Sequence, residues 1–184
     1  MLPLIIVLVI AVVVLAVGVV MYNGLIRSKN QVENAWSQID VQLKRRLDLI
    51  PNLVDTVKGY AAHEQETFQQ VIAARNAAIA APDTPAGQAA PNDMLTGALG
   101  KLFALSEAYP DLKANQNFLA LQEELTATEG RVAYARQFYN DSVLSYNNKI
   151  ESVPTVFLAR MLGYRQREYF EADEAARTAP NVEF

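Results

Sequence analysis

The chain contains no cysteine, and His63 is its single histidine in 184 residues. The first absence removes disulfides, thiolate zinc sites, iron–sulfur clusters and cysteine nucleophiles, and it fits a reducing compartment. The second removes His-rich metal sites and leaves little for an ordinary nucleophilic triad. There is no basic surplus either: the net charge of −4 gives no footprint for nucleic-acid binding, which needs a concentrated basic face. No run alternates in the manner of a strand, and no internal repeat is evident. The expectation is an all-α protein.

Candidate chemistry is correspondingly sparse. His63-Glu64 with Glu66 is the only histidine–carboxylate cluster. A zincin helix would need a second histidine four residues after the first, where Thr67 stands, so a solvated or capping role is expected. No catalytic residue, cofactor site or metal ligand is expected, and the chain is read as a non-enzyme.

What the sequence does have is a long apolar run. Leu4 to Met21 (LIIVLVIAVVVLAVGVVM) is free of charged and strongly polar side chains. As a helix it spans ~27 Å at ~1.5 Å per residue, close to the roughly 30 Å hydrocarbon core of a bilayer. In lipid such a segment must be helical, because only a helix satisfies all its own backbone hydrogen bonds. A cleavable signal would want a basic start and a shorter apolar stretch; here Met1-Leu2-Pro3 carries no side-chain charge, and the run continues past Ala16-Val17-Gly18. Without cysteine a lipoprotein anchor is excluded, so a permanent anchor is expected. Arg27 and Lys29 follow the run while no Lys or Arg precedes it. The positive-inside bias then puts the N-terminus outside and the remainder in the cytoplasm, with a periplasmic domain as the alternative. Tyr22 stands where an interfacial aromatic would.

Beyond the anchor the apolar positions recur at intervals of three and four. Val32, Ala35/Trp36, Ile39, Leu43, Leu47 and Ile50 make one helical stripe. Pro51 should interrupt it with a sharp kink or turn at 48–51, Asp48 capping a new helix. That second helix resumes over 52–80 with Leu53, Val57, Tyr60, Glu64, Phe68, Val71 and Ala74. Residues 81–93 (APDTPAGQAAPND) read as a loop. Asn92 or Asp93 then caps a third helix carrying Leu95, Leu99, Leu102, Leu105 and Tyr109, ended by Pro110. The fourth and longest runs from Phe118 to Ile150 with the period of near-parallel helix packing, and Pro154 stops it. Trp36 and the tyrosines 134, 139 and 146 read as packing aromatics. The expected architecture is therefore a transmembrane helix (1–24), an up-and-down four-helix bundle (25–163) and an acidic tail (164–184). Counting directions, the fourth helix brings Phe157, Arg160 and Met161 back to the bilayer, where this stretch either lies in the interface or caps the bundle, packed on its core. Tyr22, Arg27, Lys29, Phe157, Arg160 and Met161 are the membrane-interface candidates.

Specific motifs then accumulate: Tyr22-Asn23-Gly24-Leu25, Val32 with Ala35-Trp36, the stretch from Ile39 through Arg45-Arg46 and Asp48-Leu49-Ile50-Pro51-Asn52-Leu53-Val54, and Val57-Lys58-Gly59-Tyr60-Ala61. Glu107, Tyr109-Pro110, Leu112-Lys113-Ala114, Asn117-Phe118, Glu129, Ala135-Arg136, Tyr139-Asn140, Tyr146-Asn147, Tyr169-Phe170 and the closing Val182 and Phe184 follow in order. Together they closely resemble the LemA family over nearly the whole chain. The resemblance implies a bacterial single-pass inner-membrane protein with a four-helix domain and a short external N-terminus, its molecular role not established. A magnetosome protein is similar to this family, which implies roles in organising membrane.

Polar groups set against this frame give the remaining candidates. Arg45, Arg46 and Asp48, at the expected distal turn, either bind an anionic partner or pair across the bundle end. Glu129, Arg136, Asn140 and Asn147 share one stripe of the fourth helix beside its apolar face, suited to hydrogen bonds between helices, an inter-subunit contact or a polar pocket. The leading expectation is a self-associating or partner-recruiting scaffold at the membrane, with the lipid bilayer, further copies of the chain and an unknown protein as partners and no nucleic acid. A membrane-remodelling protein is the alternative, and an enzyme using a pocket at Glu129 and Arg136 the remote one.

Overall fold

The computed structural model describes residues 2–170. Its elements are α1 (Leu2–Lys58), α2 (Gln65–Ala80), α3 (Pro85–Ser106), α4 (Pro110–Lys113), α5 (Gln116–Glu151) and α6 (Thr155–Met161), with no strand among the described residues. The all-helical expectation holds, with six helices among the described residues. Most of the acidic tail, including Val182 and Phe184, lies outside the described residues. The described chain falls into two compact units, 2–38 with 137–168, and 39–136 with 169–170.

In the first unit α1 begins with the apolar run, which is long and apolar enough to cross a membrane. Leu4, Leu15 and Val20 stand exposed, and no other part of the described chain covers this window. From Leu25 onward the same helix acquires a buried stripe, Leu25, Val32 and Ala35, matched on α5 by Tyr139, Val143, Tyr146 and Ile150. Trp36 meets Tyr139 edge-on at 5.7 Å between ring centres, and a Cβ built on Gly24 would lie 3.3 Å from the Lys149 side chain. The contacts 36–139 and 24–149 run in opposite senses, so this part of α5 is antiparallel to α1. Glu151 therefore ends α5 near the close of the apolar run. Gly163, at φ 74°, turns the chain after α6. Residues 164–168 then run back along α5 as a strap: the Tyr146 hydroxyl donates to the Arg165 carbonyl (3.0 Å) and the Tyr139 hydroxyl to that of Glu168 (2.9 Å).

The second unit holds the main apolar core. Ile50, Leu53, Val54 and Val57 of α1, Phe68, Val71 and Ala74 of α2, Leu95, Leu99 and Leu102 of α3, Leu112 of α4, and Phe118 and Leu125 of α5 are buried together. Three boundaries differ from those expected. No turn occurs at 48–51: α1 passes through Pro51 and ends at Lys58, and the chain reverses over 59–64 instead. The reason lies on the neighbouring helix. Pro51 has no N–H to offer the carbonyl four residues back; that carbonyl, of Leu47, instead accepts the Nε–H of Arg75 on α2 at 3.0 Å.

The 81–93 loop contracts to 81–84. Thr84, not Asn92 or Asp93, caps α3, its hydroxyl accepting from the Gly87 N–H (3.1 Å), with Pro85 in the first turn where its missing N–H costs nothing. Gly87 is required there, since a Cβ would lie 2.8 Å from the Pro82 carbonyl oxygen. α3 also ends earlier, at Ser106, and Pro110 opens the single turn α4 rather than closing α3. The fourth expected helix matches α5 closely, its stripe from Phe118 to Ile150 being buried apart from the half-buried Leu121. Tyr134 is the exception among the aromatics: it is 71% exposed rather than packed.

Candidate functional site

The polar groups of the second unit converge on a buried arginine. Arg45, Arg46 and Asp48 do not sit at a turn, because the turn expected there does not form; all three lie within α1. Only 4% of the Arg46 side chain is exposed. Its Nη2 lies 2.5 Å from a Glu129 carboxylate oxygen on α5 and donates to the Thr96 hydroxyl on α3 (2.9 Å). That hydroxyl in turn donates to the Asn92 carbonyl at 3.0 Å. Burial lowers the pKa of the Arg46 guanidinium; the Glu129 carboxylate opposes this, Arg136 reinforces it and Asp93 opposes it. Arg136 lies 3.5 Å from Asp93 and stacks its guanidinium 4.2 Å above the centre of the buried Phe170 ring. Arg46 Nε and Arg136 Nη2 have no acceptor among the described residues.

The outcome is a charged layer crossing α1, α3 and α5, each carboxylate engaged by a guanidinium. Arg45, exposed, pairs with Glu124, while Asp48 is exposed. Of the four groups on the expected α5 stripe, Glu129 and Arg136 belong to this layer. Asn147 and Asn140 belong to the other unit. Asn147 clasps the strap there, its amide donating to the Arg167 carbonyl (3.0 Å) and its oxygen accepting the Arg167 N–H (2.9 Å). Asn140 is half-buried and also engaged. The sequence reading missed Asn92, Asp93, Thr96 and Phe170 as members of the layer. Asn92 and Asp93 read as caps from sequence; the signal that places them beside Thr96 is its i+4 spacing from Asn92 and i+3 from Asp93, the spacings of neighbours on a helix.

His63 lies exposed in the 59–64 turn, Glu64 accepts the Tyr109 hydroxyl (3.1 Å) and Glu66 accepts from Gln70. Among the described residues no group of three or more His, Cys, Asp or Glu side chains is placed to hold a metal ion.

The membrane-interface candidates gather in the first unit. Tyr22 and Arg27 are exposed on α1, with Lys29 half-buried. On α6, Phe157 and Met161 are 69% and 76% exposed, with Arg160 also exposed, while Ala159 turns inward.

The LemA family model matches residues 35–184. The chain belongs to the LemA family. Protein LemA of Metamycoplasma hominis is 31% identical, the match covering 84% of this chain and 71% of that protein. Magnetosome protein MamQ 2 of Paramagnetospirillum magneticum and magnetosome protein MamQ of Magnetospirillum gryphiswaldense are each 26% identical, over 85% of this chain and 67% of theirs. The LemA family assignment thus covers the core of the second unit, the charged layer and the strap, while the apolar run precedes the matched range.

Proposed function

We propose that this LemA family chain is a single-pass membrane protein whose helices form a non-enzymatic scaffold, self-associating or recruiting a protein at the membrane. The observation carrying this reading is α1 itself: one unbroken helix holds both the uncovered apolar run and the start of a packed helical assembly. Arg27 and Lys29, close behind the run, favour a cytoplasmic helical domain on an inner membrane. The shared core of α1, α2, α3 and α5 supports an up-and-down four-helix arrangement within the second unit. Glu129 and Asp93, already engaged by guanidinium groups, suit a structural role better than acid–base work.

The test is the mass of the full-length protein extracted in mild detergent, with crosslinking in membranes as its companion. Multimers in both support the scaffold; a monomer in both refutes self-association. Because the chain has no cysteine, Lys101→Cys reports topology cleanly. Shielding from an impermeant maleimide in intact cells is expected, and labelling there would put the domain outside. A membrane-remodelling role is the second reading, favoured by exposed Phe157 and Met161 on α6 and by the relatives named as magnetosome proteins. Phe157→Asp with Met161→Asp should then abolish vesicle deformation at unchanged helicity.

A further inference from the structure

A cavity of about 430 Å³ opens in the first unit between α1, α5 and the turn after α6. Lys29, Tyr146, Tyr164, Arg165 and Arg167 line it, and among the described residues no carboxylate does. Two carboxylates pair with residues of its lining. Glu33 is shared by Arg167 (3.3 Å) and Lys29 (3.7 Å), and Glu151 holds Gln166 at the rim. Arg165 has no carboxylate partner among the described residues. Its backbone is pinned instead, through the carbonyl that accepts the Tyr146 hydroxyl. Among the described residues, three cations against these two carboxylates leave one surplus positive charge, which a phosphodiester would balance, and guanidinium forks suit phosphate oxygens.

The position of the cavity narrows the source of that phosphate. Lys29 follows Met21 by two helical turns, ~12 Å, and the headgroup layer beyond the hydrocarbon is itself ~5–8 Å deep. A lysine reaching back from there meets headgroups, as Lys snorkels at interfaces. Lys149 lies nearer still, beside Gly24. The exposed apolar side chains of Phe157 and Met161 extend from the helix that leads into the cavity's turn.

We propose that this cavity binds the phosphate of an anionic phospholipid headgroup, with Lys29, Arg165 and Arg167 as its counter-charges. The proposal rests on the membrane-anchored reading and adds a lipid class to it. The full-length protein in non-ionic detergent is titrated calorimetrically with dihexanoyl phosphatidylglycerol, dihexanoyl phosphatidylcholine and inorganic phosphate. Saturable binding of the phosphatidylglycerol, about tenfold tighter than of either other probe, is expected. Lys29→Gln with Arg165→Gln should weaken it about tenfold, whereas Lys101→Gln, the same charge removed in the other unit, should leave it unchanged.

Absence of saturation, no preference over phosphatidylcholine, or equal loss with Lys101→Gln overturns the site. Inorganic phosphate bound as tightly, with the same dependence on Lys29 and Arg165, overturns the lipid source in favour of a free anion. Carbonate extraction of the parent membranes separates the two failures. Protein that stays with lipid yet ignores phosphatidylglycerol refutes the cavity alone, and protein that washes free refutes the anchor.

Discussion

Arg75 substitutes for a hydrogen-bond donor that Pro51 cannot supply, and removing either partner tests that account. In Arg75→Leu the Leu47 carbonyl loses its Nε–H donor while the apolar bulk on α2 is kept. A hydrogen bond with a charged partner contributes about 1.5–3 kcal/mol. Leu47 and Arg75 are only half-buried, so water recovers part of this and a loss of about 1.5 kcal/mol is expected. For a chain of this size that lowers Tm by roughly 3–6 °C. Pro51→Ala restores the backbone N–H and relieves the ring clash, a cost of ~3 kcal/mol in a helix interior, and frees the unfolded chain by only about 0.4–1 kcal/mol, so alone it should stabilise the fold. The informative quantity is the coupling. In the Pro51→Ala background the Leu47 carbonyl has its own helical donor, and Arg75→Leu should then cost less than about 0.5 kcal/mol. Thermal unfolding in mild detergent, followed by far-ultraviolet circular dichroism on all four proteins, measures the cycle. Equal losses from Arg75→Leu in both backgrounds would show that Arg75 stabilises the fold by some other contact.

Removing the partners of the charged layer should be asymmetric. Glu129→Ala leaves the Arg46 guanidinium buried without its carboxylate and should cost about 2–4 kcal/mol, near the lower range for a broken buried pair because Glu129 itself is 43% exposed. Arg46→Met leaves Glu129 free to hydrate and should cost about 1 kcal/mol or less; the same thermal assay ranks them, and the reverse order refutes the reading. Thr84→Ala should cost about 1 kcal/mol through the lost cap, and Gly87→Ala more, since its methyl meets the Pro82 carbonyl; hydrogen exchange at the start of α3 reports both. Burial raises the Tyr139 and Tyr146 phenols above their ordinary pKa. The folded state therefore holds these protons more tightly, so stability is full below about pH 10 and falls as pH rises through the folded values. Tyr139→Phe with Tyr146→Phe should flatten that alkaline loss in an unfolding titration.

Much of the architecture was readable because it depends on near-neighbour chemistry. The intervals of three and four along Phe118–Ile150 predicted the buried face of α5, and burial follows them almost residue by residue. The errors cluster at prolines. Pro51 reads as a break only while α2 is out of view, and Pro85 reads as loop although the first turn of a helix accepts proline. A helix start at Asn92 or Asp93 hides the polar layer, because it makes these residues caps instead of partners for Gln88 and Arg136. Tyr134 faces outward because it falls on the side of α5 away from the stripe, among the exposed Gly130, Arg131 and Gln137.

The amino-acid order alone determined the apolar span, the lack of thiols, the helical class and the family. Each is a property of composition or of a period along one segment, which neighbours in space do not alter. The tertiary structure decided where helices end, which arginine is buried, and that residues 164–168 strap back onto α5 around a cationic cavity. Those outcomes depend on which donor meets which orphaned carbonyl and which charge meets its opposite across helices. Such pairings join residues like Leu47 with Arg75, or Glu33 with Arg167, that only folding brings together.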